Sequence, residues 1–505
     1  MGTGKTAFLL TLIFILSKPI NFLKELVIAA IFGVSAYRDA FLVAWQIPNI
    51  VGSFFYEGLP EIFVPWIVEQ QHKENFSNTL NSIIIFFLLL FILISILVTI
   101  GAKFLISLIA PFLTLSVKNL AVPLLKILSF SILFIGMNAI LTGINYSYQR
   151  FIIPSLTIPL MNLVTIIIVI LFCKKLNIYS LAYGTLAGSL SMVFLQISRM
   201  EMGKYKFSYK INVGGELKKF LSLGGYFFIG TLIFNLCAIV EKIFASSLEV
   251  GSISYLDYAF RIIQLFFTAF SAITTVVYPK LCLLAADEKN KKELSDIVTK
   301  SIRVIMFLSF PIISMIVVLK LPITKIIYER GAFTEYNSIA TSKILGIYAL
   351  GLMPHLLNFL LIHVFYAYKE MSMRIKYSIL CLSTFIFFNI IFIKNLKVYG
   401  IAMANLFSAT VCTCFLSFSV LGKLEISLRE ITSSFYRLLL SSFIAGIVTK
   451  ILWEMINTKI NLFLAFSISL FAGGVIFFVL VYCLQMEEIK YTQSIALEIL
   501  RRWKK

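Results

Sequence analysis

The chain has 505 residues, of which 60% are hydrophobic and 13% charged. An average soluble domain is nearer a quarter charged, and apolar stretches of about 18 residues or more recur from end to end, so a soluble fold is excluded in favour of a membrane-spanning one. The formal net charge of +20 does not point to nucleic acid. The excess lies mostly in short segments between apolar runs, where the positive-inside rule predicts it.

Apolar runs predict about fourteen transmembrane helices, at 7–34, 36–67, 81–109, 121–146, 152–173, 179–197, 219–247, 252–285, 301–329, 337–368, 372–394, 398–420, 433–454 and 460–485. The first begins beside Lys5 and continues past Ser17-Lys18-Pro19 with no small-residue cleavage site, which predicts an uncleaved helix rather than a signal peptide. Gly2-Thr3-Gly4-Lys5-Thr6 looks like the end of a P-loop, but the first glycine of that motif and a preceding strand are missing. The seven cysteines lie in or beside apolar runs without metal-ligand spacing, and the three histidines are scattered. Lys and Arg concentrate in 198–218, 286–303, 369–376, 421–432 and the last residues, which predicts that both termini are cytoplasmic. Residues 286–300 and 487–505 read as amphipathic surface helices.

A pattern occurs twice, about 218 residues apart. Lys24-Glu25, Gly33 and Tyr37-Arg38-Asp39-Ala40-Phe41 are echoed by Glu241-Lys242, Gly251 and Tyr255-Leu256-Asp257-Tyr258-Ala259-Phe260-Arg261. Tyr146-Ser147-Tyr148-Gln149 returns as Tyr366-Ala367-Tyr368-Lys369, Tyr183-Gly184 as Tyr399-Gly400, and Pro65 as Pro279. Six spans separate the copies, an even number, so they are expected to be parallel repeats. The expected organisation is all-α: an N-lobe over 1–217, a C-lobe over 218–430, each of six helices, and two extra helices with an amphipathic tail over 431–505.

Charge inside the spans marks the candidate site, because an intramembrane charge costs about 2.5–3.5 kcal/mol on insertion scales and therefore faces protein or water. Lys18, Asn21 and Lys24 partly share a helix face, beside Pro19, which allows a bend, and Glu25. They form either a cationic cavity wall or a structural ion pair. Arg38-Asp39 is either functional or a membrane-edge pair. Pro48-Asn49 marks an expected kink, with Glu57 beyond it. Arg261 lies one turn after Asp257 and offers a fork for two phosphate oxygens. Glu329-Arg330-Gly331-Ala332-Phe333-Thr334 is a latch or, more simply, a helix stop at Gly331.

These residues resemble a known family. Phe22-Leu23-Lys24-Glu25, Phe32-Gly33-Val34-Ser35, Asp39-Ala40-Phe41, Ile47-Pro48-Asn49, Glu57-Gly58 and Phe63-Val64-Pro65 look like the N-terminal motifs of the MurJ (MviN) lipid II flippases of the MOP exporter superfamily. Ile243 to Ser246, Gly251 to Ser254, Arg261, Gln264-Leu265 and Glu329 to Thr334 continue the match. The resemblance implies two six-helix lobes around a central cationic cavity, two further helices forming a groove for a lipid tail, and alternating access. It implies transport without enzymatic chemistry, in a bacterial cytoplasmic (inner) membrane, of an undecaprenyl-diphosphate-linked peptidoglycan precursor. Membrane lipid and the cell-wall synthesis machinery are the other partners it suggests. It places Lys18, Lys24, Gly52 and Arg261 where family arginines bind diphosphate, with Asp39 as acidic partner. Here lysine stands for two arginines and Gly52 carries no charge. No cofactor is implied beyond Na+ or the membrane potential as energy source, and Glu241 and Asn389 are the candidates for a cation site. The alternatives are another MOP-type exporter, of undecaprenyl-linked oligosaccharides or of drugs with a coupled cation, and a polyprenyl-dependent glycosyltransferase, which the short outer loops and the lack of a D-x-D motif disfavour.

Overall fold

The computed structural model describes residues 3–70, 76–198, 225–489 and 491. Its regular structure is helical throughout, and among the described residues there is no strand. That is what a lipid solvent imposes, since a helix satisfies its own backbone polar groups where no water can. The helices are α1 (Thr3–Phe32), α2 (Ala36–Gln70), α3 (Phe76–Ile100), α4 (Ala102–Ile109), α5 (Leu115–Ser147), α6 (Ile152–Leu176) and α7 (Tyr179–Ser198). They continue with α8 (Gly225–Ser246), α9 (Ser252–Ala285), α10 (Lys291–Tyr328), α11 (Glu335–Ala367), α12 (Ser372–Leu421), α13 (Leu428–Ile456) and α14 (Leu462–Cys483). Among the described residues, ten of them are long and apolar enough to cross a membrane.

Helices and expected spans do not correspond one to one. The run expected over 81–109 is broken at Gly101 into α3 and α4. The two runs expected over 372–394 and 398–420 form α12, kinked at Lys397. Part of the expected surface helix 286–300 is the first turns of α10, which then continues as the ninth span. The basic segment 199–224 and the tail beyond 491 lie outside the described residues, as does the expected lobe boundary at 217/218.

The chain forms two compact units, one built on Met1–Ser254 and one on Tyr255–Arg502. In the first, α2 packs along α5, α6 on α7, α1 on α6, and α8 against α2 and α4. Its core is aromatic: Phe55, Phe63, Phe87 and Phe91 are buried together, with Phe55 and Phe91 edge to face at 4.8 Å. In the second unit α11 packs on α10 and α12, while α13 and α14 pack on each other and on α10.

The duplication is written into the local backbone. Gly33 (φ 55°) and Gly251 (φ 99°) each separate two helices in a conformation that glycine adopts without strain. Gln149 (φ 58°) and Lys369 (φ 60°) each follow a helix end as the left-handed residue of a Schellman motif. In the first, Arg150 N–H donates to Asn145 O at 2.8 Å; in the second, Glu370 N–H donates to Phe365 O at 2.9 Å. Asn177 (φ 47°, ψ −135°) and Lys397 (φ 48°, ψ −128°) also match each other, as positive-φ residues of a different backbone conformation. The break at Gly101 (ψ 3°) is matched by non-helical backbone at Leu319 (ψ 18°), the kink of α10.

Candidate substrate-handling site

Two buried charge networks occupy the first unit. Arg38 is 1% exposed, and its guanidinium donates to Glu25 Oε2 at 3.1 Å while lying 5.7 Å from the centre of the Phe41 ring. Lys24 Nζ donates to Asn162 Oδ1 on α6 at 3.1 Å and lies 3.5 Å from Glu25 Oε1. The amide of Asn162 reaches Asn21 at 3.5 Å. Lys24 is the open end of this network, with 20% of its side chain exposed against 5% for Glu25. Asn162 is a polar residue inside an apolar span, which was the signal available for it in the sequence.

Asp39 anchors the second network and is 2% exposed. Its Oδ2 accepts from Gly251 N–H at 2.5 Å, and its Oδ1 accepts from Ser254 N–H at 2.9 Å and from Ser254 Oγ at 2.5 Å. The carboxylate thus caps the first turn of α9, where unpaired N–H groups and the helix dipole favour negative charge. This arrangement accounts for an acid at position 39 without any ligand. In α8, Lys242 Nζ pairs with Glu241 Oε1 at 3.0 Å, with Lys242 the more buried of the two.

Arg261 belongs to the second unit. It pairs with Asp257 Oδ1 at 3.3 Å across one helical turn, and 26% of its side chain is exposed. Asn389 is buried in α12; its Nδ2 donates to Phe385 O at 2.8 Å, while Oδ1 has no hydrogen-bond partner among the described residues. No group of three or more His, Cys, Asp or Glu side chains gathers around a possible ion position among the described residues. Helix α1 runs through Pro19, which is exposed, and α2 runs unbroken through Pro48, which is buried, beside the exposed Asn49. The side chains of Lys18 and Glu57 lie outside the described ones.

Gly52 is buried, and a Cβ there would sit 3.1 Å from Ile135 Cγ2. The position is therefore occupied by packing rather than by charge. At Gly331 (φ 59°) the chain turns after α10, with Arg330 donating to the last carbonyls, Ile326 O at 2.6 Å and Ile327 O at 2.9 Å. Phe333 is buried against Tyr258 and Tyr328 at 5.2 and 5.4 Å. The segment acts as a helix stop anchored by an aromatic cluster.

A family model described as "Lipid II flippase MurJ" matches residues 28–471. The chain belongs to the MurJ lipid II flippase family. Among curated relatives it is 30% identical over 378 residues to a probable lipid II flippase MurJ of Buchnera aphidicola (strain Sg), covering 73% of each chain. It is 29% identical over 458 residues to that of Aquifex aeolicus, covering 88% of each. A solved "Lipid II flippase MurJ, inward closed conformation" superposes with a TM-score of 0.82 at 27% identity, over 95% of this chain and 99% of that one. An inward-facing MATE-family multidrug transporter of the MOP superfamily shares the fold, with a TM-score of 0.67 at 14% identity. Family membership makes the chain a multi-pass membrane transporter rather than an enzyme, and favours the flippase reading over the other exporters. Of the expected anion contacts whose side chains are described, Lys24 and Arg261 are partly exposed cations, and Asp39 accepts hydrogen bonds from the start of α9.

Proposed function

We propose that this chain moves lipid II from the inner to the outer leaflet of a bacterial cytoplasmic membrane by alternating access, with both termini on the cytoplasmic side. The family match across residues 28–471 carries this reading. In the first unit Lys24, fixed by Asn162 and Glu25, supplies a positioned ammonium to a diphosphate oxygen. In the second unit Arg261, held by Asp257, supplies a guanidinium fork. Lys18 is a further cation on the helix of Lys24. The polyprenyl tail lies along α14, where Leu470, Phe471, Gly474, Phe478 and Tyr482 line an apolar groove of about 820 Å³. Sodium, through Glu241 or Asn389, or the membrane potential supplies the energy; a charge crossing 100 mV gains about 2.3 kcal/mol.

The test is rescue of a bacterium depleted of its own flippase. Lys24→Ala and Arg261→Ala should each reduce rescue at unchanged membrane abundance. Full rescue by the double variant would remove both residues from the transport path.

A further inference from the structure

Within the second unit, Lys320 is a cation inside an apolar span with no counter-charge. It is half-buried in α10 between Leu319 and Leu321, and its ammonium has neither a carboxylate nor a hydrogen-bond partner among the described residues. Pro322 cannot donate to the carbonyl of Val318, and the backbone leaves helical geometry at Leu319 (φ −98°, ψ 18°), directly before the lysine. Lys325, nearer the end of the same helix, shows the contrast. It is paired with Glu335 at 2.5 Å and lies 3.9 Å from Glu329.

The direction of Lys320 is as informative as its isolation. Thr324 Oγ1 donates to Ser338 O at 3.2 Å, which sets the antiparallel register of α10 and α11. Lys320, one turn before Thr324, is therefore level with Ser342, one turn after Ser338. Its side chain nevertheless runs a further turn along α11, to Gly346. A Cβ there would sit 3.1 Å from Lys320 Cδ and 3.6 Å from Nζ. The lysine thus points away from the turn at Gly331 and toward the middle of the helices, opposite to a side chain that snorkels to the nearer surface. Helix α11 has 33 residues, about 50 Å of helix, against a hydrocarbon core of about 30 Å. Gly346 lies five residues from its midpoint at Gly351, so the ammonium is inside the core and below headgroup depth. A second lysine stands nearby. Lys343 is three residues before Gly346, so the two positions are neighbours on the surface of α11. Lys343 is exposed, has no carboxylate partner among the described residues, and lies 5.8 Å from the centre of the Tyr399 ring on α12.

We propose that Lys320 and Lys343 form a second anion site, which takes the diphosphate of the transported polyprenyl lipid in the outer half of the membrane before release. The site rests on the flippase reading and on cytoplasmic termini, which make α10 an outward-running span that ends at Tyr328 on the outer side. Charge and depth choose the ligand. Unpaired cations within a span mark a substrate path, and two of them match two phosphates. A phospholipid resting in the outer leaflet keeps its phosphate at the headgroup level, outside the hydrocarbon core that holds Lys320. Lysine also suits a site that must let go, because an ammonium is a strongly hydrated point charge without the fork that Arg261 offers.

Native mass spectrometry of the full-length protein in detergent, titrated with undecaprenyl diphosphate and with undecaprenol, tests this. The background is Lys24→Ala/Arg261→Ala, which removes the first anion contacts, and undecaprenol reports tail binding by folded protein. In that background undecaprenyl diphosphate should still bind about tenfold more tightly than undecaprenol. Adding Lys320→Met/Lys343→Met should abolish the difference, and adding Lys320→Arg/Lys343→Arg should keep it. Equal binding of the two lipids in the background protein would overturn the second site, as would a preference that survives the Met substitutions. Inorganic pyrophosphate competing as strongly as undecaprenyl diphosphate would replace the lipid by a free anion and refute the lipid source. The two readings fail separately: the binding comparison involves no transport, whereas the flippase reading fails when the parent chain does not restore outward lipid II.

Discussion

Asp39 and Arg261 carry opposite lessons about charge in a membrane helix. Asp39 accepts three hydrogen bonds from a segment more than two hundred residues away in sequence, and no spacing rule exposes such a pairing in advance. A buried acceptor that leaves its donors unpaired costs about 1–3 kcal/mol. Asp39→Ala should therefore lower the melting temperature of the detergent-solubilised protein and its membrane abundance, with lost transport following lost protein. Asp39→Asn, which keeps one carbonyl acceptor, should fall between. Arg261 instead was legible, because its partner Asp257 lies one turn away and its outer surface stays exposed. Arg261→Lys keeps the charge and loses the fork, so it should weaken substrate affinity while leaving melting unchanged. Gly52 belongs at this scale as well. Gly52→Arg should destabilise unless Ile135 is shortened with it, since Ile135 Cγ2 would contact the new Cβ; melting of the single and Ile135→Ala double variants measures the coupling.

At the scale of the element, the apolar runs located most helices but not their breaks. Gly101 interrupts a run whose hydrophobicity continues on both sides, so composition could not show that α3 ends there. The amphipathic turns before residue 301 and the apolar span after it share one helical period, which is why they fuse into α10. The repeat fared better. Tyr146 to Gln149 and Tyr366 to Lys369 were matched by letters alone, and both copies end a helix with a left-handed residue. Neither residue is glycine, and the left-handed region costs an L-residue about 1–2 kcal/mol. Gln149→Gly and Lys369→Gly should each stabilise the protein by about 0.5–1 kcal/mol after the added flexibility of the unfolded glycine is subtracted. Thermal melting of both single variants reads this, and similar gains in the two units would support the backbone equivalence. Arg303 ties three elements together, donating to Glu430 on α13 and to Glu487 and Glu488 after α14. Removing one partner of a buried ion pair costs about 3–5 kcal/mol, so Arg303→Ala should release the segment after α14, read as faster hydrogen exchange at Glu487 and Glu488.

At the scale of the whole molecule, a duplicated helical transporter of the MurJ family carries the partly exposed cations Lys24 and Arg261. Composition showed the membrane, the repeat showed two related halves, and the residues of α1, α2 and α9 showed the family. What stayed hidden was which charges are spent on structure, because that depends on partners brought together by folding. The most direct measurement is the appearance of lipid II at the outer face of cells depleted of their own flippase and expressing this chain. The account predicts that outward lipid II and growth return with the parent chain and decline with Lys24→Ala/Arg261→Ala at equal abundance. Lipid II retained at the inner face, with the parent protein abundant and folded in the membrane, would contradict it.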